Sequence, residues 1–260
     1  MTAKFDYSAF PPGYYHEVLE GDSPVRRAWH LQKFKRVIDC LPPGEDLALL
    51  DVGCFAGSFL SMVDERRFSR QVGVDILPSQ IDYANTHFAT PHRCFQLVSS
   101  MASLGSDLGL PPGAPGRFDC ITIIEVIEHL DPIDVARALH GAAELLRDHG
   151  TLIVTTPNYV STWPLLELAI DRLADVSYAE QHITKFNYFN VLGKLRRIDP
   201  GFSEHFEVMF KTTTHFISPF LAQISPTLSA RVSEWLRHET WRFPLGNLLL
   251  MSFRRRARKI

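Results

Sequence analysis

Cysteine is scarce in this chain, and its spacing pairs none of it. Cys40, Cys54, Cys94 and Cys120 form no Cys-x-x-Cys motif. That spacing argues against a zinc knuckle and a disulfide framework, and predicts a reducing, cytoplasmic compartment. No apolar run approaches the ~20 residues that span a bilayer. Met1–Pro12 lacks a basic stretch followed by an apolar one, so no secretory signal is expected. Neither sign of charge dominates: 27 Lys and Arg stand against 29 Asp and Glu, a formal net charge of -2. A broad nucleic-acid-binding face is therefore not indicated. Internal repeats and low-complexity tracts are absent, and so is the dinucleotide fingerprint Gly-x-Gly-x-x-Gly.

What remains is a chain of 260 residues, 45% hydrophobic, long enough for one full core. A single domain is expected over 1–260. Its parts are an N-terminal lid and helix (1–44), an insertion (159–183) and a substrate-side cover (214–246). A helix is expected from Pro24 to Ile38, with Ala28, Leu31, Phe34 and Ile38 as its apolar stripe. Strands then alternate with helices. The strands are Ala48–Val52, Gln71–Ile76, Cys94–Val98, Phe118–Ile124 and Thr151–Thr155. The helices are Ser58–Arg66, Ser79–Phe88 and Ile133–Leu146. Such alternation argues for a parallel sheet wrapped on both faces. Further helices are expected at Trp163–Leu173, Lys185–Arg197 and Leu228–Arg237, and two late strands at Phe206–Thr213 and Asn247–Phe253.

The segment Leu49-Leu50-Asp51-Val52-Gly53-Cys54-Phe55-Ala56-Gly57-Ser58 reads as a buried strand running into a glycine-punctuated turn. Gly53 and Gly57 let the backbone turn tightly and approach a ligand. Asp75 ends the second strand, where a carboxylate accepts from both hydroxyls of a ribose. That arrangement serves a nicotinamide cofactor or S-adenosylmethionine (SAM), and the glycine spacing favours SAM. The segment resembles the first motif, Asp-x-Gly-x-Gly-x-Gly, of class I SAM-dependent methyltransferases. Phe55 stands where that family usually has its middle glycine. The resemblance implies a Rossmann-like α/β fold: seven strands, mostly parallel, helices on both faces, the last strand antiparallel. It implies cofactor contacts from Asp51, Gly53, Cys54, Phe55, Gly57, Asp75 and Ile76. Ser100 stands where the family often has an acid for the adenine amino group, and the backbone of Met101 is expected to serve the ring.

The second signal is Glu125-Val126-Ile127-Glu128-His129. If Glu125 opens a helical turn, Glu128 and His129 lie at i+3 and i+4 on one face. Two carboxylates and an imidazole in one cleft suit a divalent cation. The pattern resembles the Glu-x-x-Glu-His of ubiquinone-biosynthesis O-methyltransferases and of small-RNA terminal 2′-O-methyltransferases. His182 and Phe186 match the later His-x-x-x-Phe stretch of those groups. The resemblance implies a Mg2+ or Mn2+ site from Glu125, Glu128, His129 and His182, with His129 and Glu128 catalytic. The alternative is a metal-free centre in which Glu125 contacts the cofactor region and His129 is a general base.

Ahead of the first strand, Tyr15, Arg27 and His30 are candidates to close over the cofactor, Arg27 by pairing with its carboxylate. The segment around Phe216, Phe220, Leu221, Leu228, Trp235, Leu236 and Trp241, with the basic tail Arg254–Lys259, admits peripheral membrane contact with a lipid-linked substrate, a homodimer face, or a cover for the sheet's own core followed by a solvated tail. The expected activity is SAM-dependent O-methylation of a small-molecule hydroxyl, one of a vicinal diol or catechol. RNA 2′-O-methylation and non-catalytic SAM binding are the rival readings.

Overall fold

The computed structural model describes residues 10–100, 103–109, 117–166, 182–236 and 244–258. The helices are α1 (Tyr14–Glu20), α2 (Pro24–Cys40), α3 (Pro78–Phe88), α4 (Leu104–Asp107), α5 (Pro132–Leu145), α6 (Val191–Ile198), α7 (Phe202–His205) and α8 (Pro226–Trp235). The strands are β1 (Ala48–Val52), β2 (Arg70–Asp75), β3 (Arg93–Leu97), β4 (Phe118–Ile124), β5 (Leu146–Pro157), β6 (Phe206–Thr214) and β7 (Leu248–Arg255). They form one sheet in the order β3-β2-β1-β4-β5-β7-β6. The first five are parallel, and β7 runs antiparallel to both β5 and β6. Strand order reverses between β1 and β4, so the crevice for a ligand lies at their carboxyl ends.

The central strands read as apolar runs because both faces are covered. Every residue of β1 is buried. One core layer joins Leu50, Val52, Ile121, Ile123 and Val154 to Val135, Leu139 and Leu195 of α5 and α6. The other joins Leu49, Cys120 and Ile153 to Phe34 and Val37 of α2 and Ile81 of α3. Among the described residues no helix is long and apolar enough to cross a membrane.

Four local expectations change. The strand expected over Thr151–Thr155 runs from Leu146 to Pro157 and follows α5 directly. The helix expected over Ser58–Arg66 reduces to a 3-10 turn at Leu60–Met62. Ser61 Oγ donates to Ser58 O, and Asp64 Oδ1 accepts from Arg66 N. Such short side-chain bonds compete with a helical ladder. The helix expected over Lys185–Arg197 begins only at Val191. Asn187 and Asn190 exchange side-chain caps, each Oδ1 accepting from the other's backbone N–H. The buried side of α2 is also rotated: Gln32, Lys33, Phe34, Arg36 and Val37 face inward. Polar partners permit this. Gln32 Nε2 donates to Ser229 Oγ, and Arg36 Nη2 donates to the Ser233 carbonyl. The expected helix Trp163–Leu173 falls partly outside the described residues.

Two buried asparagines tie the sheet to the segments around the crevice. Asn158 Nδ2 donates to the carbonyls of Pro244 and Gly246, and its Oδ1 accepts from Tyr188 N. Asn247 Nδ2 donates to His215 O, while its Oδ1 accepts from Ser161 and Thr162 hydroxyls. Removing either amide strands buried backbone groups. Asn158→Ala is expected to cost about 3 kcal/mol in urea unfolding, whereas Asn187→Ala, at an exposed cap, should cost about 1 kcal/mol.

Candidate functional site

The turn after β1 is built on alternating left-handed residues. Gly53, Phe55 and Gly57 have φ of 76°, 47° and 80°. A Cβ on Gly53 would sit 2.3 Å from Val126, and one on Gly57 would sit 2.7 Å from the Phe95 ring, so neither position accepts a side chain. Phe55 holds the same backbone sign that glycine adopts freely, at a cost of about 1–2 kcal/mol. Its ring is compensated by contact with Tyr15 and Phe10, at centroid distances of 4.9 and 6.2 Å. Phe55 therefore faces the N-terminal segment. Gln80, fully buried at the start of α3, holds that segment in place: its Oε1 accepts from Gly13 N and its Nε2 donates to Pro11 O.

Asp75 closes the turn from the other side. Its Oδ2 accepts from Phe55 N at 2.8 Å and its Oδ1 from Leu77 N at 3.1 Å. Burial raises its pKa, and these amides oppose the rise. Asp51 is 2% exposed and accepts from the Thr122 hydroxyl at 2.7 Å. Burial pushes its carboxyl up to about 7. Cys54 is buried, with its thiol pushed well above the usual range by burial, and its N–H joins that of Gly53 on Val74 O. Ile76 is exposed beside Asp75, and Ser100 is half-buried with its hydroxyl 3.1 Å from that of Ser103. Met101 lies outside the described residues. The Tyr15 and His30 rings meet at 5.0 Å, tilted by 46°, beside Phe55, and the buried His30 Nδ1 has no hydrogen-bond partner among the described residues. Arg27 is exposed on α2.

The acidic–histidine segment divides. Glu125 has φ of 52°, so it does not open the turn that carries the other two residues. The turn is a 3-10 segment at Ile127–His129. Glu128, His129 and His182 each offer a ligand atom within 4.8 Å of the others, and Glu125 is outside that group. Glu125 instead accepts from Lys33 Nζ on α2. Burial pushes the Glu125 pKa up, but the charge and hydrogen bond of Lys33 outweigh it and hold the group below its usual range. Glu128 is 1% exposed, and neither of its carboxylate oxygens makes a well-formed hydrogen bond among the described residues, although the Thr156 hydroxyl lies near enough to oppose the rise of its pKa. Burial, then the charge of Glu125, raises its pKa well above the usual range. His182 reaches it because Thr184 N donates to Glu128 O and Thr184 Oγ1 donates to Leu130 O.

Lys33, Gln80, Tyr159, Trp163 and His215 complete the surroundings, and none follows from motif spacing. Lys33 carried one faint signal: it lies four residues before Val37 and next to Phe34, on the side of α2 that turns inward. His215 is 2% exposed, at φ of 64°, with Nε2 2.8 Å from Trp29 O. Burial lowers its pKa to about 4.

The Lys33–Glu125 pair is partly or fully withdrawn from water, so removing one partner strands the other charge. Lys33→Met and Glu125→Gln should each cost about 3 kcal/mol, and the double variant distinctly less than their sum, read by urea unfolding. His215 takes up its proton later in the folded chain than in the unfolded one, so the unfolded chain binds the extra proton between pH 6.5 and about 4. Stability is lost as pH falls through that window, by about 3 kcal/mol from this group. His215→Asn, which tolerates positive φ, should flatten that part of a stability–pH profile.

Residues 26–193 match the sequence profile of the methyltransferase-domain family. The ubiquinone biosynthesis O-methyltransferase of Bartonella quintana is 31% identical over 152 residues, 57% of this chain and 57% of that protein. The enzyme of the same name from Xanthomonas campestris pv. campestris is 32% identical over 112 residues, 42% of this chain and 43% of its own. The chain thus spans about half the length of these relatives, 57% of one and 43% of the other. An S-adenosylmethionine-dependent methyltransferase from Mesorhizobium loti superposes with a TM-score of 0.59 at 16% identity, covering 86% of this chain and 98% of that one. Geranyl diphosphate C-methyltransferase from Streptomyces coelicolor superposes with a TM-score of 0.58 at 15% identity, covering 97% and 86%. At such identities the superpositions show the fold alone. Strand order, the glycine turn ended by Asp75 and the profile match agree, and the chain belongs to the methyltransferase-domain family in its class I, SAM-dependent form.

Proposed function

We propose that this chain transfers a methyl group from SAM to a hydroxyl oxygen of a small molecule, with a divalent cation held by Glu128, His129 and His182. The carrying observation is Glu128. A carboxylate buried without a hydrogen bond is costly unless a cation satisfies it, and two imidazoles lie within ligand reach of it. One carboxylate and two imidazoles suit Mg2+ or, better, Mn2+. When bound, such a cation lowers the pKa of a coordinated hydroxyl and favours two adjacent substrate oxygens, as in a catechol or a cis-diol. Glu125, neutralised by Lys33, lies outside the ligand set in this reading.

The chain's own residues supply the rest. The Gly53–Gly57 turn and Asp75 cradle the ribose end of SAM, with Ile76 and Ser100 beside the adenine. Asp51 lies toward the amino group of the methionine moiety. Tyr15, His30 and Phe55 cover that end and exclude water. With a cation bound, His129 would serve as a ligand and the proton of the attacking hydroxyl would pass to solvent; in the metal-free alternative His129, half-exposed beside Glu128, takes that proton as general base. The names of the Bartonella and Xanthomonas relatives support oxygen as the acceptor.

The cover supports peripheral membrane contact or a lipid-linked acceptor. Helix α8 turns Ser229 and Ser233 inward, whereas Leu228 and Trp235 face water, with Ile224 just ahead of the helix 80% exposed. This inverts the usual amphipathic order. A near-neutral charge balance favours small acceptors over RNA.

The test is methyl transfer from labelled SAM to a panel of catechols and cis-diols, with an RNA oligonucleotide alongside. Turnover should require Mg2+ or Mn2+, and Glu128→Ala should lower kcat by about 100-fold or more while S-adenosylhomocysteine still binds. Turnover indifferent to chelation and to Glu128→Ala would remove the cation from the reading. Methylation of the RNA alone would select the 2′-O reading, and SAM binding with no acceptor methylated would select the non-catalytic one.

A further inference from the structure

Tyr159 lies just past the end of β5 and touches a residue of the acidic–histidine group. Its hydroxyl is 2.7 Å from Nδ1 of His182, with the two rings nearly perpendicular at 87°. Several contacts fix the phenol in that position. Tyr159 N donates to Phe186 O, four residues past His182. Lys185 Nζ lies 5.0 Å from the centre of the tyrosine ring. Asn158, the residue before it, is fully buried and hydrogen-bonded on both ends of its amide. His182 itself is 5% exposed and flanked by Trp163 at 6.0 Å and His129 at 5.0 Å between ring centres. The imidazole has little freedom to turn over.

A neutral imidazole carries one N–H and one lone pair. A nitrogen that binds a cation must offer the lone pair, so the proton must sit on the other nitrogen. The partner of that N–H decides which nitrogen is which. Here Nδ1 faces an oxygen on a different segment, which leaves Nε2 as the nitrogen for Glu128 and His129.

We propose that Tyr159 is a positioning residue: its oxygen accepts from Nδ1–H of His182 and holds that ring in the tautomer whose Nε2 lone pair faces Glu128. This rests on the cation-site reading above. Tyr159→Phe keeps the ring, the backbone bond to Phe186 and the Lys185 contact, and removes only the oxygen.

The experiment titrates Mn2+ into the full chain by calorimetry and electron paramagnetic resonance, with wild type, Tyr159→Phe and His182→Ala in parallel. Histidine tautomers in the metal-free protein are read from long-range 15N–1H NMR. Tyr159→Phe should weaken Mn2+ binding by about 10–100-fold, leave S-adenosylhomocysteine affinity and circular dichroism unchanged, and lose the Nδ1–H tautomer of His182 that wild type shows. His182→Ala should lose Mn2+ binding. Tyr159→Phe binding Mn2+ as tightly as wild type, or keeping the Nδ1–H tautomer, overturns the role of Tyr159 while the site stands. Wild type failing to bind Mn2+, or His182→Ala binding it equally well, removes the site and the role together.

Discussion

Burying carboxylates at the carboxyl ends of a parallel sheet is the constraint on which this structure turns. Asp51, Asp75, Glu125 and Glu128 all lie there, each largely or wholly withdrawn from water. Each burial is answered differently. Asp51 has a hydroxyl from the neighbouring strand, Asp75 has two backbone amides, and Glu125 has a lysine from the lid helix. Glu128 has no well-formed hydrogen bond among the described residues. A polar group paired inside a protein is nearly neutral to stability, and an unpaired one is costly. The difference sets Glu128 apart from the other three acids, and it is the observation on which the proposed cation site rests.

The same constraint explains why the N-terminal segment and the late cover belong to the site. Lys33 reaches Glu125 only because α2 packs across the crevice, and α2 holds that position through Gln32 and Arg36 on α8. Residues 10–13 are held by Gln80, and the rings of Phe10 and Tyr15 compensate the strained Phe55. His215, on the loop after β6, is placed by Asn247 and by the Trp29 carbonyl, and lies close enough to Glu125 and Lys33 to feel both charges. The candidate site is thus lined by stretches distant in sequence, the 182–186 stretch among them.

Much of the sheet was legible because its signals are local. The buried strands read as apolar runs, and the ends of α3 and α5, each opened by a proline, fall within one residue of expectation, although α5 stops at Leu145 ahead of the expected His149-Gly150 signal. The 58–66 helix failed because serine and aspartate side chains met their own backbone there, a competition that apolar spacing does not show. The stripe of α2 was misplaced for a related reason: Gln32, Lys33 and Arg36 are polar, and only partners from α8 and the β4 end make their burial tolerable.

The glycine turn, Asp75 and the Glu128-His129 pair were set by the sequence alone, because a left-handed turn and a strand-end acid follow from residue type and spacing. Phe55 shows the limit of that reading: it departs from glycine yet keeps glycine's backbone sign, because rings from the N-terminal segment compensate it. Tertiary structure alone decided that Glu125 goes to Lys33 and not to the histidines, and that Tyr159 meets His182. Both outcomes depend on where separate segments dock. Docking is fixed by burial and hydrogen-bond satisfaction over the whole chain, which no short motif encodes.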